Sequence, residues 1–388
     1  MTSERHGLKR AAAAVVGIAE SDLGLVPRHM TPTDLMAQAT VRALDDCGLK
    51  LADIDAVLCA HSQSRVASMQ LAEYLRIKPR YFDGTMIGGA SFMSHLAHAM
   101  AAIQLGVCDV ALIAYGSTQR SVTRAAAAPG EYNPYEAPYR QFIQPGAYAL
   151  AASRHMHQYG TTREQLADVA VAARQWALLN PNAWEKEPLT RQQVLDARMV
   201  CYPFTVRDCC LVTDGGGAMI VTSAERARAL KKPAAYVLGI GEALSHASIA
   251  NMADLTVTAA TESGPAAFGM AGVTHADIDM LSLYDAFTLT PILFLEDLGF
   301  CPKGEGGRFV ANGAIAPGGR LAVNTSGGGL SYCHPGMYGL LVMIEAVRQL
   351  RGECGQRQIA DCEVALAHGD GGVLSSQCTV VFGGASTV

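Results

Sequence analysis

The sequence predicts an α/β protein built from two similar halves, and three observations lead there. Short apolar runs suited to buried strands alternate with stretches of helical spacing along the 388 residues. Two pairs of distant segments resemble one another in the same order. Hydrophobic residues make up 50% and charged residues 17%, which excludes a disordered chain and provides for a large core.

The repeat is read first. Cys47-Gly48-Leu49-Lys50-Leu51-Ala52-Asp53-Ile54-Asp55 is matched at an offset of 224 by Ala271-Gly272-Val273-Thr274-His275-Ala276-Asp277-Ile278-Asp279, and each runs into an apolar stretch, 56–60 and 280–284. Upstream, Val15-Val16-Gly17-Ile18-Ala19-Glu20 resembles Val237-Leu238-Gly239-Ile240-Gly241-Glu242 at an offset of 222. Two ordered matches at nearly equal offsets predict a duplication, with halves at 1–230 and 231–388 and a linker at Lys231-Lys232-Pro233.

The elements follow in order. Residues 11–19 are apolar and end in Glu20-Ser21-Asp22, which suits a buried first strand and lacks the small-residue cleavage site of a signal peptide. Thr31-Pro32-Thr33-Asp34 supplies a capping residue, a first-turn proline and an acid, opening a helix that carries Leu35, Ala39, Val41 and Leu44. Residues 94–105 read as an apolar helix stopped by Gly106, and 110–114 as a strand buried on both faces. About residues 117–205 read as an inserted loop-and-helix region over the first half, holding Trp176 and Trp184. Its Tyr132, Tyr135, Tyr139, Phe142 and Met156 suit a wide apolar pocket or plain core packing. In the second half, 338–351 read as a helix stopped by Gly352, and 363–367 and 379–382 as strands.

Several functions are disfavoured. Lys and Arg total 30 against 35 Asp and Glu, a net charge of −5, and no basic run exceeds two residues, so an extended nucleic-acid surface is not expected. No apolar stretch reaches the ~18 residues of a membrane span. The eleven cysteines are scattered without CxxC or finger spacing, so neither a zinc site nor a disulfide framework is expected, and a reducing cytoplasm fits them. None of the glycine clusters fits a phosphate loop or a dinucleotide fingerprint.

Four stretches concentrate chemistry at the ends of regular elements. Gly88-Gly89-Ala90-Ser91 precedes a helix whose free N–H groups suit an oxyanion, or is a plain tight turn. Tyr284-Asp285-Ala286-Phe287-Thr288 follows a strand. Ser331-Tyr332-Cys333-His334-Pro335-Gly336 lies between a triple glycine and a helix. His368-Gly369-Asp370-Gly371-Gly372 ends a strand. A strand-end tyrosine bonded to backbone is the structural alternative for Tyr284.

Asn324-Thr325-Ser326-Gly327-Gly328-Gly329-Leu330, His334-Pro335-Gly336, Gln349-Leu350-Arg351-Gly352 and Gly355-Gln356-Arg357-Gln358 resemble the C-terminal half of the thiolase superfamily, in the branch of sterol-carrier-protein-X thiolases and lipid-transfer-protein relatives. Residues 208–223 support the likeness, which covers nearly the whole chain. It implies a duplicated αβαβα sandwich. A thiolase places a nucleophilic Cys at the start of its buried helix; the matching position here is Gly89, which cannot carry an acyl group, and nothing marks an activating base for Ser91. His334 matches the GHPxG histidine, Tyr284-Asp285-Ala286-Phe287 the Asn-Glu-Ala-Phe motif, and His368 the last motif.

The resemblance therefore implies a CoA-dependent carbon–carbon lyase: retro-aldol cleavage of a bulky, steroid-like β-hydroxyacyl-CoA, with Tyr284, Tyr332, His334 and His368 as catalytic groups. Gly89, Ala90, Ser91, Asp285 and Gly372 then serve substrate or oxyanion. A noncanonical thiolase or acyltransferase subunit is the second reading, and a non-catalytic lipid or acyl-CoA scaffold the third. The likeness also implies CoA as part of the substrate with no permanent cofactor and no metal, and a homodimer paired through an edge strand near residues 111–115. A small OB-fold and zinc-ribbon partner completes what it implies.

Overall fold

The computed structural model describes residues 7–122, 134–135, 137–139 and 144–388. Its strands are β1 (Ala13–Glu20), β2 (Ala56–Cys59), β3 (Tyr81–Asp83), β4 (Val110–Ser117), β5 (Met199–Cys201), β6 (Phe204–Thr205), β7 (Gly215–Ser223), β8 (Ala235–Leu244), β9 (Met280–Leu283), β10 (Ala322–Val323), β11 (Val364–Gly371) and β12 (Ser376–Gly383). The helices are α1 (Pro32–Cys47), α2 (Ala67–Leu75), α3 (Ser91–Gln104), α4 (Pro145–Tyr159), α5 (Arg163–Leu178), α6 (Arg191–Leu195), α7 (Ala224–Arg228), α8 (Ala260–Ala271), α9 (Leu289–Asp297), α10 (Gly306–Val310) and α11 (Gly339–Leu350).

Ten strands hydrogen-bond in the order β10-β9-β11-β12-β8-β1-β7-β4-β2-β3. Read outward from the antiparallel β1–β8 junction, the two wings are the same. Each has two antiparallel pairings followed by two parallel ones, β1-β7-β4-β2-β3 and β8-β12-β11-β9-β10. The wings fold over a shared middle layer. Helix α3 packs on β2, β4 and β7 and also reaches β12, while α11 packs on β9 and β11 and also reaches β1 and β7. Helix α1 covers β1, β4 and β7 from outside, and α8 covers β8 and β12. The result is the αβαβα layering.

The repeated residues do repeated work. Asp55 accepts hydrogen bonds from the backbone N–H groups of Asp109 and Val110 at the start of β4. Asp279 does the same for Glu363 and Val364 at the start of β11. Gly17 and Gly239 let a helix lie against a strand. A Cβ on Gly17 would stand 2.3 Å from the Ala43 carbonyl oxygen of α1, and one on Gly239 2.0 Å from that of Ala267 in α8. Thr31 caps α1 as its sequence predicts, in a reciprocal box with Asp34. Ion pairs tie the wings together: Arg348 of α11 grips Glu20 of β1 through two 2.6 Å bonds, and Lys232 bridges Asp46 and Glu353.

Two expectations are corrected. Residues 111–115 lie in β4, which β2 and β7 flank on both sides, so their backbone groups are already paired; the edges are β3 and β10. In the region 117–205 the described residues do not lie over the first half alone: Trp184 meets Gly24 there, and other contacts run to the second wing. Asn180 Nδ2 donates to Ser326 O, Trp176 Nε1 to Ile315 O and the Trp184 N–H to Tyr332 O, so α5 and the segment after it are bound to the second wing's glycine-rich turn. Of its proposed pocket residues, Tyr132 and Phe142 lie outside the described residues, Tyr135 and Tyr139 are 86% and 84% exposed, and Met156 packs on the core.

If the close strand–helix approach limits packing, Gly17→Ala and Gly239→Ala each lower stability by about 1–3 kcal/mol or more. Urea titration followed by circular dichroism would show a lower midpoint for both, and an unchanged midpoint would contradict the contact.

Candidate active site

Four segments meet at the ends of the middle-layer helices. A short turn over Gly88–Ala90 leads into α3, the residues after β9 carry Tyr284, the turn before α11 carries His334 and Tyr338, and β11 ends at Gly371. They meet with backbone against backbone. A Cβ on Gly88 would stand 2.5 Å from the Gly372 nitrogen, and one on Gly339 2.1 Å from the Gly89 oxygen. A Cβ on Gly89 would stand 2.1 Å from Cε2 of Tyr284 and 2.6 Å from the Asp370 carbonyl oxygen. The space that a side chain at position 89 would need is filled by the Tyr284 ring.

Tyr284 is 5% exposed. Its phenol oxygen lies 3.2 Å from His334 Nε2, accepts the Tyr338 N–H at 3.0 Å, and is 3.4 Å from the Gly336 carbonyl. The ring packs edge-on to both His334 and Tyr338. Burial pushes the phenol well above its ordinary pKa, and the Tyr338 N–H pulls the other way. Burial also holds His334 down to about 4, so its imidazole is neutral at pH 7. With a proton on Nδ1, Nε2 accepts from Tyr284. The backbone of His334 is pinned on both sides: its N–H donates to Thr213 Oγ1 at 3.0 Å, and its carbonyl accepts from the Thr213 N–H and from Gln119 Nε2.

The other candidate residues lie differently. Tyr332 closes a π-helical turn, Gly328–Tyr332, and its hydroxyl donates to Glu20 Oε1 at 2.9 Å. Burial opposes ionisation of Glu20, yet the Arg348 charge and hydrogen bonds, helped by Tyr332, keep it at about 2. His368 bonds Thr379 Oγ1 through Nδ1 at 2.9 Å and Gln377 Oε1 through Nε2 at 2.8 Å, and burial lowers it to about 4. Only its carbonyl meets Tyr284, accepting that residue's N–H. Asp285 accepts the Gly329 and Leu330 N–H groups at 2.6 and 3.2 Å, so it caps the glycine turn; burial raises it to about 7 against those bonds. Ser91 is spent locally, donating to Gly88 O and accepting from the Ile87 N–H. Ala90 is buried at the start of α3, and Gly372 turns at φ +70° beside Gly88. Tyr284 and His334 are thus brought side-chain to side-chain, and Tyr332 and His368 are held by other partners.

The sequence reading missed several groups. Tyr115 donates to the Pro335 carbonyl and accepts the Met337 N–H, shaping the turn beyond His334. Tyr148 donates to Asp370 Oδ2 at 2.6 Å, and Gln377 Nε2 donates to Oδ1 at 2.7 Å. Burial raises Asp370 to about 7 against these bonds. A signal for Gln377 was present: polar Gln377 and Thr379 stand two apart on one face of a buried strand.

A fold of two like wings, with a glycine-lined junction over two buried helices, defines the class. Residues 241–384 match a family model described as Thiolase C-terminal domain-like. An acetyl-CoA acetyltransferase of Methanothermobacter thermautotrophicus is 32% identical over 95% of this chain and 98% of its own. A 17-hydroxy-3-oxo-4-pregnene-20-carboxyl-CoA lyase of Mycobacterium tuberculosis is 32% identical over 94% and 97%. Among solved structures, an Ltp2-ChsH2(DUF35) aldolase superposes with a TM-score of 0.85 at 28% identity, covering 97% of this chain and 98% of that one. The chain belongs to the thiolase superfamily.

The Gly89–Tyr284 contact makes a sharp test. Gly89→Cys lowers thermal stability by about 2–3 kcal/mol, because the new side chain meets a ring that cannot leave. In a Tyr284→Ala background, itself destabilised by the lost ring, Gly89→Cys costs less by about 1 kcal/mol or more, and additive effects in this double-mutant cycle would rule out the contact.

Proposed function

We propose that the protein is a CoA-dependent carbon–carbon lyase, cleaving a bulky β-hydroxyacyl-CoA to a ketone or aldehyde and a shorter acyl-CoA. The observation that carries this reading is the Tyr284 ring standing where a nucleophilic side chain would have to be. Claisen chemistry through an acyl-enzyme needs a thiolate or an equivalent at that point. Burial raises the buried thiols Cys59, Cys333 and Cys378 and the half-buried Cys209 and Cys210, the opposite of activation. The kinship with the lyase and aldolase relatives supports the same side.

In this scheme the substrate's β-hydroxyl gives its proton to the Tyr284 oxygen as the Tyr284 proton passes to His334 Nε2. The relay spares a free phenolate, whose formation burial opposes. The Cα–Cβ bond breaks, the β-carbon becomes a carbonyl, and its electrons form a thioester enolate. The start of α3, with the amides of Gly89 and Ala90, is where we place the enolate oxygen. Cα is then protonated. No cofactor enters, and CoA belongs to the substrate. A steroid-like acyl part rests on the likeness to the 17-hydroxy-3-oxo-4-pregnene-20-carboxyl-CoA lyase.

We assign the chain to a reducing cytoplasm, on its eleven free cysteines. We further propose a small OB-fold and zinc-ribbon partner, supported by the DUF35 component named in the similar aldolase. The remaining assignment is a homodimer through β3, the edge strand on which Phe82 is 64% exposed.

Incubated with a bulky β-hydroxyacyl-CoA, with and without such a partner, the chain releases a carbonyl product and a shorter acyl-CoA without added CoA. Tyr284→Phe lowers this by about 100-fold or more. CoA-dependent cleavage of a β-ketoacyl-CoA with acyl bound to protein would instead establish the acyltransferase reading. For the dimer, Phe82→Arg converts the sedimentation coefficient from dimer to monomer; a wild-type monomer at micromolar concentration sinks that assignment.

A further inference from the structure

We propose that the acid returning a proton to Cα is the Tyr148 hydroxyl backed by Asp370, and not His368; this deepens the lyase reading and rests on it. The HGDGG turn sets His368 and Asp370 two residues apart on β11, so their side chains share a face. Opposite them in register stand Thr379 and Gln377 of β12.

The hydrogen bonds fix who donates. An ionised Asp370 can only accept, so Gln377 turns its amide NH2 toward Oδ1 at 2.7 Å. Its Oε1 then faces His368 Nε2 at 2.8 Å, and that nitrogen must carry the hydrogen. The lone pair on Nδ1 accepts from Thr379 Oγ1 at 2.9 Å, and Thr379 accepts in turn from Ser263 at 2.9 Å. The Phe294 ring closes on the imidazole at 4.5 Å. Both nitrogens of His368 are spent inside the sheet.

Asp370 keeps an outlet. Its second oxygen takes the Tyr148 hydroxyl at 2.6 Å. Tyr148 comes from α4 and lays its ring on Phe287 at 4.6 Å, three residues beyond Tyr284. The Asp370 backbone borders the same point beside Gly89 that the Tyr284 ring fills. The Asp370 backbone thus adjoins the Tyr284 ring, and Tyr148 packs on the same loop through Phe287.

In the proton-loaded state the proton sits on Asp370 Oδ2, which donates to the Tyr148 oxygen and frees the Tyr148 hydrogen. The enolate's electron pair forms the Cα–H bond with that hydrogen, the thioester carbonyl is restored, and the Tyr148 oxygen takes the Asp370 proton. Asp370 is left ionised, accepting from Tyr148 and Gln377 as described above. His334 returns the β-hydroxyl proton to solvent, and solvent reprotonates Asp370. Nothing is oxidised or reduced. The polar and titratable groups facing Asp370 are Tyr148 from α4, His368 on its own strand, Gln377 from β12 and Tyr284 beyond β9. Burial raises Asp370 to about 7, so its acid form is abundant at neutral pH and lost above it.

The test is exchange of the Cα hydrogens of a saturated short-chain acyl-CoA in D2O, followed by mass spectrometry, using the protein with any partner it purifies with. Wild type exchanges, and the rate rises as pH rises through about 7, because removal of the Cα hydrogen is the reverse of the step above and starts from ionised Asp370. Asp370→Asn and Tyr148→Phe each lower exchange by about 100-fold or more, and Asp370→Asn also abolishes that pH limb. Asp370→Glu restores both in part. Thermal melts within a few degrees of wild type exclude misfolding, and Tyr148→Phe keeps the ring on Phe287 should the Asp370 variant fail to fold. Retention of rate and pH limb in Asp370→Asn, or a wild type that does not exchange, overturns the proposal. Exchange needs no carbon–carbon cleavage, so a protein that exchanges in this Asp370-dependent way but cleaves no β-hydroxyacyl-CoA upholds the acid assignment and sinks the lyase reading.

Discussion

The site depends on one steric constraint, the absence of a side chain at position 89. Three segments cross there with their backbones nearly touching. Gly88 and Gly89 open α3, Gly339 opens α11, and Gly371 and Gly372 turn out of β11. A Cβ on Gly371 would stand 1.8 Å from the Ile87 carbonyl oxygen, so even alanine is excluded there. Two of the glycine clusters that fit no nucleotide loop, Gly88-Gly89 and Gly371-Gly372, are explained by this crossing. Space given up by the backbone is taken by one aromatic ring, and that ring carries the hydroxyl to which we assign the proton relay.

The layered fold explains why reactive groups from both wings arrive at one place. Each wing lends one helix to the middle layer, α3 from the first and α11 from the second, and each of these helices touches strands of both wings. Their N-terminal ends lie together at Gly89 and Gly339. Strand-end residues of the second wing, Tyr284 after β9 and Asp370 at the end of β11, meet them there. Burial then acts on all of these groups alike. It keeps His334 and His368 neutral and raises the tyrosines, so the relay we propose starts from neutral groups in contact.

Much of this was legible in the chain, for physical reasons that can be named. The repeat was readable because Asp55 and Asp279 hold equivalent strand starts, and Gly17 and Gly239 sit under equivalent helices. The start of α1 was readable because capping is local chemistry. Edge position was not: β4 carries the apolar run of a buried strand, but only pairing with β2 and β7 decides that it is interior. The contacts of α5 and the segment after it with the second wing were hidden for the same reason, since Asn180 and Ser326 are 146 residues apart. Within the site, motif positions located Tyr284, His334 and His368, but not the direction of their side chains. Tyr148 has no local signal at all, being a helix residue that meets Asp370 from 222 residues away.

Tyr284 and Tyr332 show how neighbours divide identical side chains into different roles. Both are buried, and burial raises both pKa values. Around Tyr284 the partners are a neutral imidazole that can take a proton and a backbone N–H that can steady the oxygen left behind. Around Tyr332 the partner is a carboxylate already committed to Arg348, and a phenolate formed there would stand against the Glu20 charge. Glu20, held at about 2, has no affinity for the Tyr332 proton near neutrality. The Tyr332 hydroxyl is thereby a fixed donor that anchors the π-helical turn, and through it the backbone leading to His334. In the scheme we propose, proton exchange belongs to the tyrosine that faces a base, and position belongs to the one that faces an ion pair.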